Sequence, residues 1–195
     1  MDFCNIHVKS VDELWSIIKK EILYNLFDDC FGNNLFDHTY GGEDVDIENV
    51  ISAFEEFAND GILVLCRNQE SSSIVGFSAA LPLKKQPDVW NASQNYLADA
   101  LHYWYHSELG VSQNYRRKGL ANLMTSSQIT MIPSNRIIVR ARIDNIATIK
   151  LHEKHGFTLL RDAQEQDVKQ WVPVKRKATG KIMADERVFL TLHKK

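Results

Sequence analysis

The chain has 195 residues, a formal net charge of −2, 44% hydrophobic residues and 25% charged ones. That length supports one domain with a substantial core and is short for two. The near-neutral balance excludes a global basic field of the kind that holds nucleic acid or anionic lipid, and no apolar run is long enough to span a bilayer.

In chain order, Phe3 to Val8 alternates weakly and reads as a first strand. Ser10, with Glu13 three residues later, makes a capping box. Leu14, Ile17, Ile18, Ile22 and Leu26 follow at the spacing of one continuing helix. Asp28 to Asp44 reads as a loop, and Asp46 opens a second helix with Ile47, Val50, Ile51 and Phe54 on one face. Gly61 to Cys66 and Ile74 to Leu83 form a hairpin through the polar stretch Asn68 to Ser73. Lys84 to Asn95 reads as a connection, and Tyr96 to Val111 contains a third strand. A helix is expected from about Arg117 to Ile129, then a strand from Arg136 to Ile143 with Ile137, Val139, Ala141 and Ile143 on one face. Asn145 to His155 reads as a helix with Asn145 at its start and Gly156 at its end. Phe157 to Leu160 and Arg187 to Leu192 close the set as short strands, with a polar stretch between them. The pattern is a mixed α/β (α+β) domain spanning residues 1–195.

Charge is unevenly placed. No Lys or Arg occurs between Lys20 and Arg67, whereas Asp28, Asp29, Asp37, Glu43, Asp44, Asp46, Glu48, Glu55, Glu56 and Asp60 fall there. Basic residues gather at Arg116 to Lys118 and Lys175 to Lys177, so the two ends of the molecule suit ligands of opposite sign. Cys4, Cys30 and Cys66 fit neither a zinc cluster nor a disulfide framework, and Cys66 reads as a buried thiol. The histidines are scattered, so no metal site is expected. Met1 to Ser10 lacks a basic segment followed by an apolar one, and a reducing cytoplasm is the expected setting.

The chemistry concentrates where Glu108-Leu109-Gly110-Val111 is followed by Arg116-Arg117-Lys118-Gly119-Leu120-Ala121. A strand ends, a short loop turns, and a helix starts beside a glycine. The first N–H groups of a helix have no intrahelical partner, and the helix dipole adds positive charge there, which suits a pyrophosphate. Gly119 removes a Cβ from the path of the phosphates, Ala121 allows close packing, and Arg116, Arg117 and Lys118 add positive charge. Neither a phosphate-binding G-x-x-x-x-G-K-[ST] loop nor a G-x-G-x-x-G fingerprint is present. Taken alone, these residues point to a phosphate-bearing ligand and no further.

Arg116-x-x-Gly119-x-Ala121 after that strand end resembles the signature loop of the GNAT superfamily of N-acetyltransferases. A second, independent segment, Asn145-Ile-Ala-Thr-Ile-Lys-Leu151-His152-Glu153-Lys154-His155-Gly156-Phe157, resembles the family's Asn-x-x-Ala-x-x-Leu-Tyr-Glu-Lys-x-Gly-Phe stretch. The resemblance implies a mixed, centrally splayed sheet with helices on both faces, opened between the strands ending at Val111 and near Ile143. It implies acetyl-coenzyme A as cosubstrate. Leu109, Gly110 and Val111 would meet the pantetheine arm, residues 116–121 including Leu120 would wrap the pyrophosphate, and Asn145, at the start of the second motif, would also bind the coenzyme.

Two departures from the family bear on catalysis. His152 stands where the family often has a tyrosine that protonates the leaving thiolate; a histidine can also serve as an acid. Thr148 replaces an alanine. For the base, strict alternation along His102 to Glu108 places Tyr103, Tyr105, Ser107 and Leu109 on one face, and His102, His106 and Glu108 on the other. A β-bulge would shift these faces. Glu108 and Tyr105 rank equally as candidate bases, with His106 behind them.

The acidic helical region would attract a cationic amine, either a small molecule or a peptide. Direct transfer in a ternary complex is expected, because no cysteine is evidently placed as a covalent carrier. The competing readings are a coenzyme A-binding regulatory module without turnover and a nucleic-acid-associated enzyme, the latter opposed by the acidic lobe. The expected state is a monomer or homodimer without membrane association.

Overall fold

The computed structural model describes residues 2–31, 47–175 and 180–194. Within them lie eight strands: β1 (Phe3–Val8), β2 (Ile62–Asn68), β3 (Ile74–Pro82), β4 (Tyr103–Val111), β5 (Arg136–Arg142), β6 (Thr158–Leu159), β7 (Lys169–Lys175) and β8 (Ile182–His193). Six α-helices accompany them: α1 (Val11–Ile17), α2 (Lys20–Phe31), α3 (Ile47–Asp60), α4 (Pro87–Ser93), α5 (Leu120–Met131) and α6 (Ile146–Lys154). The strands form one sheet in the order β1-β2-β3-β4-β5-β8-β6, with β7 also paired to β8. All pairings are antiparallel except β4 with β5. The mixed α/β class and the splayed sheet predicted above are both present.

Alternation along the strands builds a core on each face. Leu63, Leu65, Phe77, Ala79 and Leu81 meet Leu14, Leu23, Leu26, Val50 and Phe54 of α1 to α3. On the other face, Val64, Ala80, Ile137, Val139, Ala141 and Leu190 meet Leu120 and Met124 of α5. A third cluster joins Leu83 and Val89 to Tyr103, Tyr105, Ile138 and Phe189.

Several boundaries differ from the sequence reading. The single helix expected after Ser10 is two helices, because Ile18 caps α1 in an extended conformation (φ −141°, ψ 138°) and lets its side chain enter the core. The capping box holds in modified form: Ser10 Oγ accepts from Glu13 N at 3.1 Å, and Glu13 Oε2 accepts from Lys9 N, not from the cap itself. Of the loop expected over 28–44, residues 28–31 are the end of α2 and the rest lies outside the described residues. The connection over 84–95 contains α4, with Pro87 at its first turn, where proline costs no hydrogen bond. The polar stretch before the last strand contains β7, and β8 is twice the expected length.

Candidate active site

β4 stays paired with β3 along its length, but it pairs with β5 only from Tyr103↔Arg136 to His106↔Val139. Beyond His106, β5 continues alongside β8 to Arg142↔Arg187, so the two central strands part and leave a wedge. His106 is the last β4 residue at its apex.

A bulge sits at that apex. Ala80 faces His106 and Ala79 faces Glu108, which leaves Ser107 as the extra residue on β4. The alternation expected along this strand therefore holds to His106 and reverses after it. Residues opposite each other on neighbouring strands share a face. Tyr105 (opposite Leu81) and Glu108 (opposite Ala79) thus lie on the α1–α3 face, and His106, Leu109 and Val111 lie on the α5 face. The two candidate bases share one side of the sheet, contrary to strict alternation. Tyr105 is buried, and burial pushes its phenol up while the nearby Arg140 opposes that shift.

The loop after β4 is pinned to the body. Ser112 N donates to Val75 O, and Gln113 N donates to Asp29 Oδ2. The Arg116 guanidinium turns inward, with Nε on Val111 O at 3.2 Å and an Nη on Cys30 O at 2.9 Å. It braces the loop, while Arg117 and Lys118 are exposed at its turn. Lys118 lies over the Tyr115 ring at 4.8 Å. Arg117 (φ 61°) and Gly119 (φ 81°) both adopt left-handed backbone, which swings the chain into α5. Gly119 is the N-cap of α5 without a side-chain cap, and nothing lies within 4 Å of where its Cβ would stand. The first N–H groups of α5, at Leu120 and Ala121, thus follow an open glycine without a side-chain cap, an arrangement that suits an anion. Gly110 is different: a Cβ there would meet the Phe77 ring at 2.7 Å and Cys30 Sγ at 3.0 Å.

α6 flanks the wedge from the β5 side. Asn145 Oδ1 caps it by accepting from Thr148 N at 3.2 Å, and this cap is the contact Asn145 makes here. His152 points inward, 1% exposed, between His106 and the Phe157 ring. Its Nδ1 lies 2.8 Å from Thr148 O and its Nε2 lies 3.1 Å from His106 Nδ1. Burial lowers His152 to about 4 and His106 well below the ordinary histidine value; His152 and His155 lower His106 further, and His155 lowers His152 against the opposing Thr148 carbonyl. The sequence ranked His106 third; its contact with His152 raises it beside that residue. No local pattern announces the pair, since 46 residues separate the two rings.

The remaining candidates are placed as follows. Cys66 is fully buried and its thiol is pushed up to about 11 by burial. Cys30 packs close to Gly110, with its thiol raised further by burial and by Asp29. Of the acidic residues, Glu55 binds Trp15 Nε1 and Lys20, Asp60 binds Lys85, and Asp29 holds Gln113. Asp37, Glu43, Asp44 and Asp46 lie outside the described residues. Among the described residues no group of histidine, cysteine and carboxylate side chains is arranged to hold a metal, and no helix is long and apolar enough to cross a membrane.

A sheet splayed after its fourth strand, with a glycine-led helix start beside the opening, is matched by sequence comparison. The acetyltransferase (GNAT) family profile covers residues 20–157. The chain belongs to this family. Its fold matches an N-acetyltransferase from Staphylococcus aureus Mu50 with a TM-score of 0.64, at 17% identity over 99% of each chain. It matches ribosomal-protein-alanine N-acetyltransferase from Brucella melitensis with a TM-score of 0.66, at 17% identity over 97% of this chain and 99% of that one. It also matches the Salmonella typhimurium protein yncA, solved with its cofactor acetyl-CoA, with a TM-score of 0.61, at 13% identity over 99% and 94% of the two chains. No curated protein sequence matches the chain. This GNAT chain is thus an acetyltransferase, and its wedge, loop and α6 occupy the places where the two sequence motifs fall.

Proposed function

We propose that this GNAT protein, as one domain over residues 1–195, moves an acetyl group from acetyl-CoA to a primary amine within a ternary complex. The observation that carries the reading is the wedge: a strand edge freed from its parallel neighbour at His106, leading directly into an uncapped helix start at Gly119. The pantetheine arm would take the place of β5 along Leu109, Gly110 and Val111. The pyrophosphate would sit on the N–H groups of Gly119, Leu120 and Ala121, with Arg117 and Lys118 supplying charge and Arg116 holding the loop in shape. Asn145 would contribute by fixing the first turn of α6.

The thioester carbonyl would then lie at the apex, beside the bulge. Attack needs a neutral amine, and the departing sulfur needs a proton. Glu108 and Tyr105 face the α1–α3 side, from which an acceptor would enter, and are candidates to orient or deprotonate it. His152 is the candidate for the sulfur's proton, a role that requires its buried ring to give up the contact with His106. Both buried thiols are pushed up and remain protonated, which favours direct transfer over an acyl-cysteine intermediate. The acceptor we favour is cationic, small molecule or peptide, because no Lys or Arg occurs from Glu21 to Cys66.

Calorimetry with acetyl-CoA, with coenzyme A and with a dephosphorylated adenosine control tests the binding half. Tight binding that requires the pyrophosphate is expected, and no binding at millimolar ligand would refute the site. Thiol release on a panel of cationic amines tests the transfer half. Binding without release on any amine would replace the enzyme by a coenzyme A-binding regulatory module of the same fold.

A further inference from the structure

The first strand leaves one side of the sheet without a neighbour. β1 pairs with β2 in the register Phe3↔Asn68 to Val8↔Leu63, and among the described residues no strand lies against its other edge. One bond fixes which groups point outward. Gln69 N donates to Asp2 O at 2.9 Å, which continues that register by one residue and makes Asp2 and Gln69 a hydrogen-bonded pair. Hydrogen-bonded and non-hydrogen-bonded pairs alternate along an antiparallel ladder. Asp2, Cys4, Ile6 and Val8 therefore bond to β2, while Phe3, Asn5 and His7 hold their N–H and C=O groups toward the open edge. Lys9 comes next in that series, but its N–H is spent on Glu13 Oε2 at 2.7 Å.

Natural sheets guard such edges with charge, proline, bulges or very short strands. The opposite side of this sheet is guarded in that way: β6 has two residues, and β7 carries Lys169, Pro173 and Lys175. β1, with the sequence FCNIHV, has no lysine, arginine, carboxylate, proline or glycine, and its register with β2 is unbroken. Apolar side chains flank it on both faces. Ile6 packs against the α1–α3 core and Phe3 against the α5-side core, and both are only partly buried. Asn5 Nδ2 donates to Leu123 O at 3.2 Å and to Ser127 Oγ at 2.7 Å, which places α5 directly beside the strand. Leu123 is 40% exposed there.

We propose that β1 is a homodimer interface, in which two copies of the chain pair their first strands antiparallel about a two-fold axis at Asn5. An axis perpendicular to the sheet keeps the α5 face of both copies on one side and makes the contact isologous. Phe3 then faces His7 of the other copy, Cys4 faces Ile6, and Asn5 faces its own mate. In this register Phe3, Asn5 and His7 all exchange their N–H and C=O bonds. Moving the axis to Ile6 would set Phe3 against Lys9, whose N–H is already taken. The segment suits its own reverse. No Lys, Arg, Asp or Glu of β1 meets its like across the axis, Cys4 and Ile6 make an apolar pair on one face, and the rings of Phe3 and His7 meet on the other. Strand pairing alone falls short of the roughly 800 Å² per partner that a stable dimer buries. Leu123 of each copy, beside the axis, and the partly exposed Phe3 and Ile6 extend the contact over both faces. The wedge opens between β4 and β5, away from β1 in the sheet order, so both copies keep it open.

Sedimentation equilibrium of the full-length protein tests the dimer, and cross-linking tests its register. Raising the concentration from about 1 to about 500 µM should move the mass from the monomer value toward twice that value. The monomer mass is 22.4 kDa. His7→Pro removes one outward N–H and leaves the β1–β2 bonds in place, since proline is tolerated on a sheet edge. It should weaken the dimer at least about tenfold. Ile6→Cys should form an intermolecular disulfide with Cys4 of the other copy under oxidised glutathione, because opposed non-hydrogen-bonded residues lie about 4.5 Å apart at Cα. Adding Cys4→Ser should abolish that cross-link. A protein that keeps the monomer mass throughout would overturn the proposal. So would a dimer that His7→Pro leaves unchanged, or a cross-link that survives Cys4→Ser, since each puts the contact or its register elsewhere. If His7→Pro does not fold, the cysteine variants decide alone: a dimer in which Ile6→Cys forms no disulfide is not built on β1.

Discussion

Two glycines beside the wedge separate packing from ligand binding. Gly110 is closed in, since any Cβ would meet the Phe77 ring and Cys30 Sγ at 3.0 Å or less. Gly110→Ala should therefore lower stability by about 1–3 kcal/mol, read as a shifted urea midpoint, through overpacking of the core. Gly119 is open, with no atom within 4 Å of its Cβ position, but its φ of 81° is the left-handed region. Gly119→Asp should cost only about 1 kcal/mol in backbone strain, because Asp tolerates that region. It should reduce acetyl-CoA affinity at least about tenfold, by setting a carboxylate against the pyrophosphate. A folded Gly119→Asp protein with unchanged affinity by calorimetry would remove the loop from the site. Gly119 was legible in the sequence because a glycine before a helix, among basic residues, signals its own role. Gly110 was legible only as part of a strand end, since what it avoids is Phe77 on the neighbouring strand.

At the level of elements, legibility follows the range of the interaction. The starts of α1 and α6 were readable because Ser10 and Asn145 cap residues three positions away. The break at Ile18 was not, since its apolar side chain fits helical spacing while its backbone turns to reach the core. The bulge at Ser107 was foreseen as possible in kind, but its position depends on pairing with Ala79 and Ala80, and it alone decides that Tyr105 and Glu108 share a face. The contacts of His106 with Ser78 and with His152 were invisible for the same reason, since they join residues 28 and 46 apart. α6 offers the clearest test of coupling between an element and the site. Asn145 caps Thr148 N, and the same Thr148 anchors His152 through its carbonyl. Asn145→Ala should lower stability by about 1 kcal/mol, and Asn145→Asp should retain most of it. The thermal midpoints of the two variants distinguish this cap from a merely polar surface residue: equal losses in both would show that the cap bond is not what Asn145 provides.

For the whole molecule, the buried histidines make acid stability the most informative property. In the unfolded chain His152 titrates near the ordinary 6.5, and in the folded protein burial lowers it to about 4. Between those values the unfolded state binds more protons than the folded one, so stability falls as pH is lowered through that window and is fully present above it. The difference is worth on the order of 3 kcal/mol from His152. His106 and His155 are shifted in the same direction and add to the slope. Surface ion pairs such as Asp60 with Lys85 are partly exposed and contribute little to stability. Urea unfolding of the wild type at pH 7 and pH 5 should therefore show a marked loss at the lower pH. His152→Phe, which keeps an aromatic ring beside Phe157 but removes the titration, should lose clearly less stability between the same two pH values. An equal loss in variant and wild type would mean that the acid response comes from elsewhere in the fold and that His152 is not held neutral against solvent. A smaller loss in the variant would assign the difference to His152 and leave the remaining slope to His106 and His155.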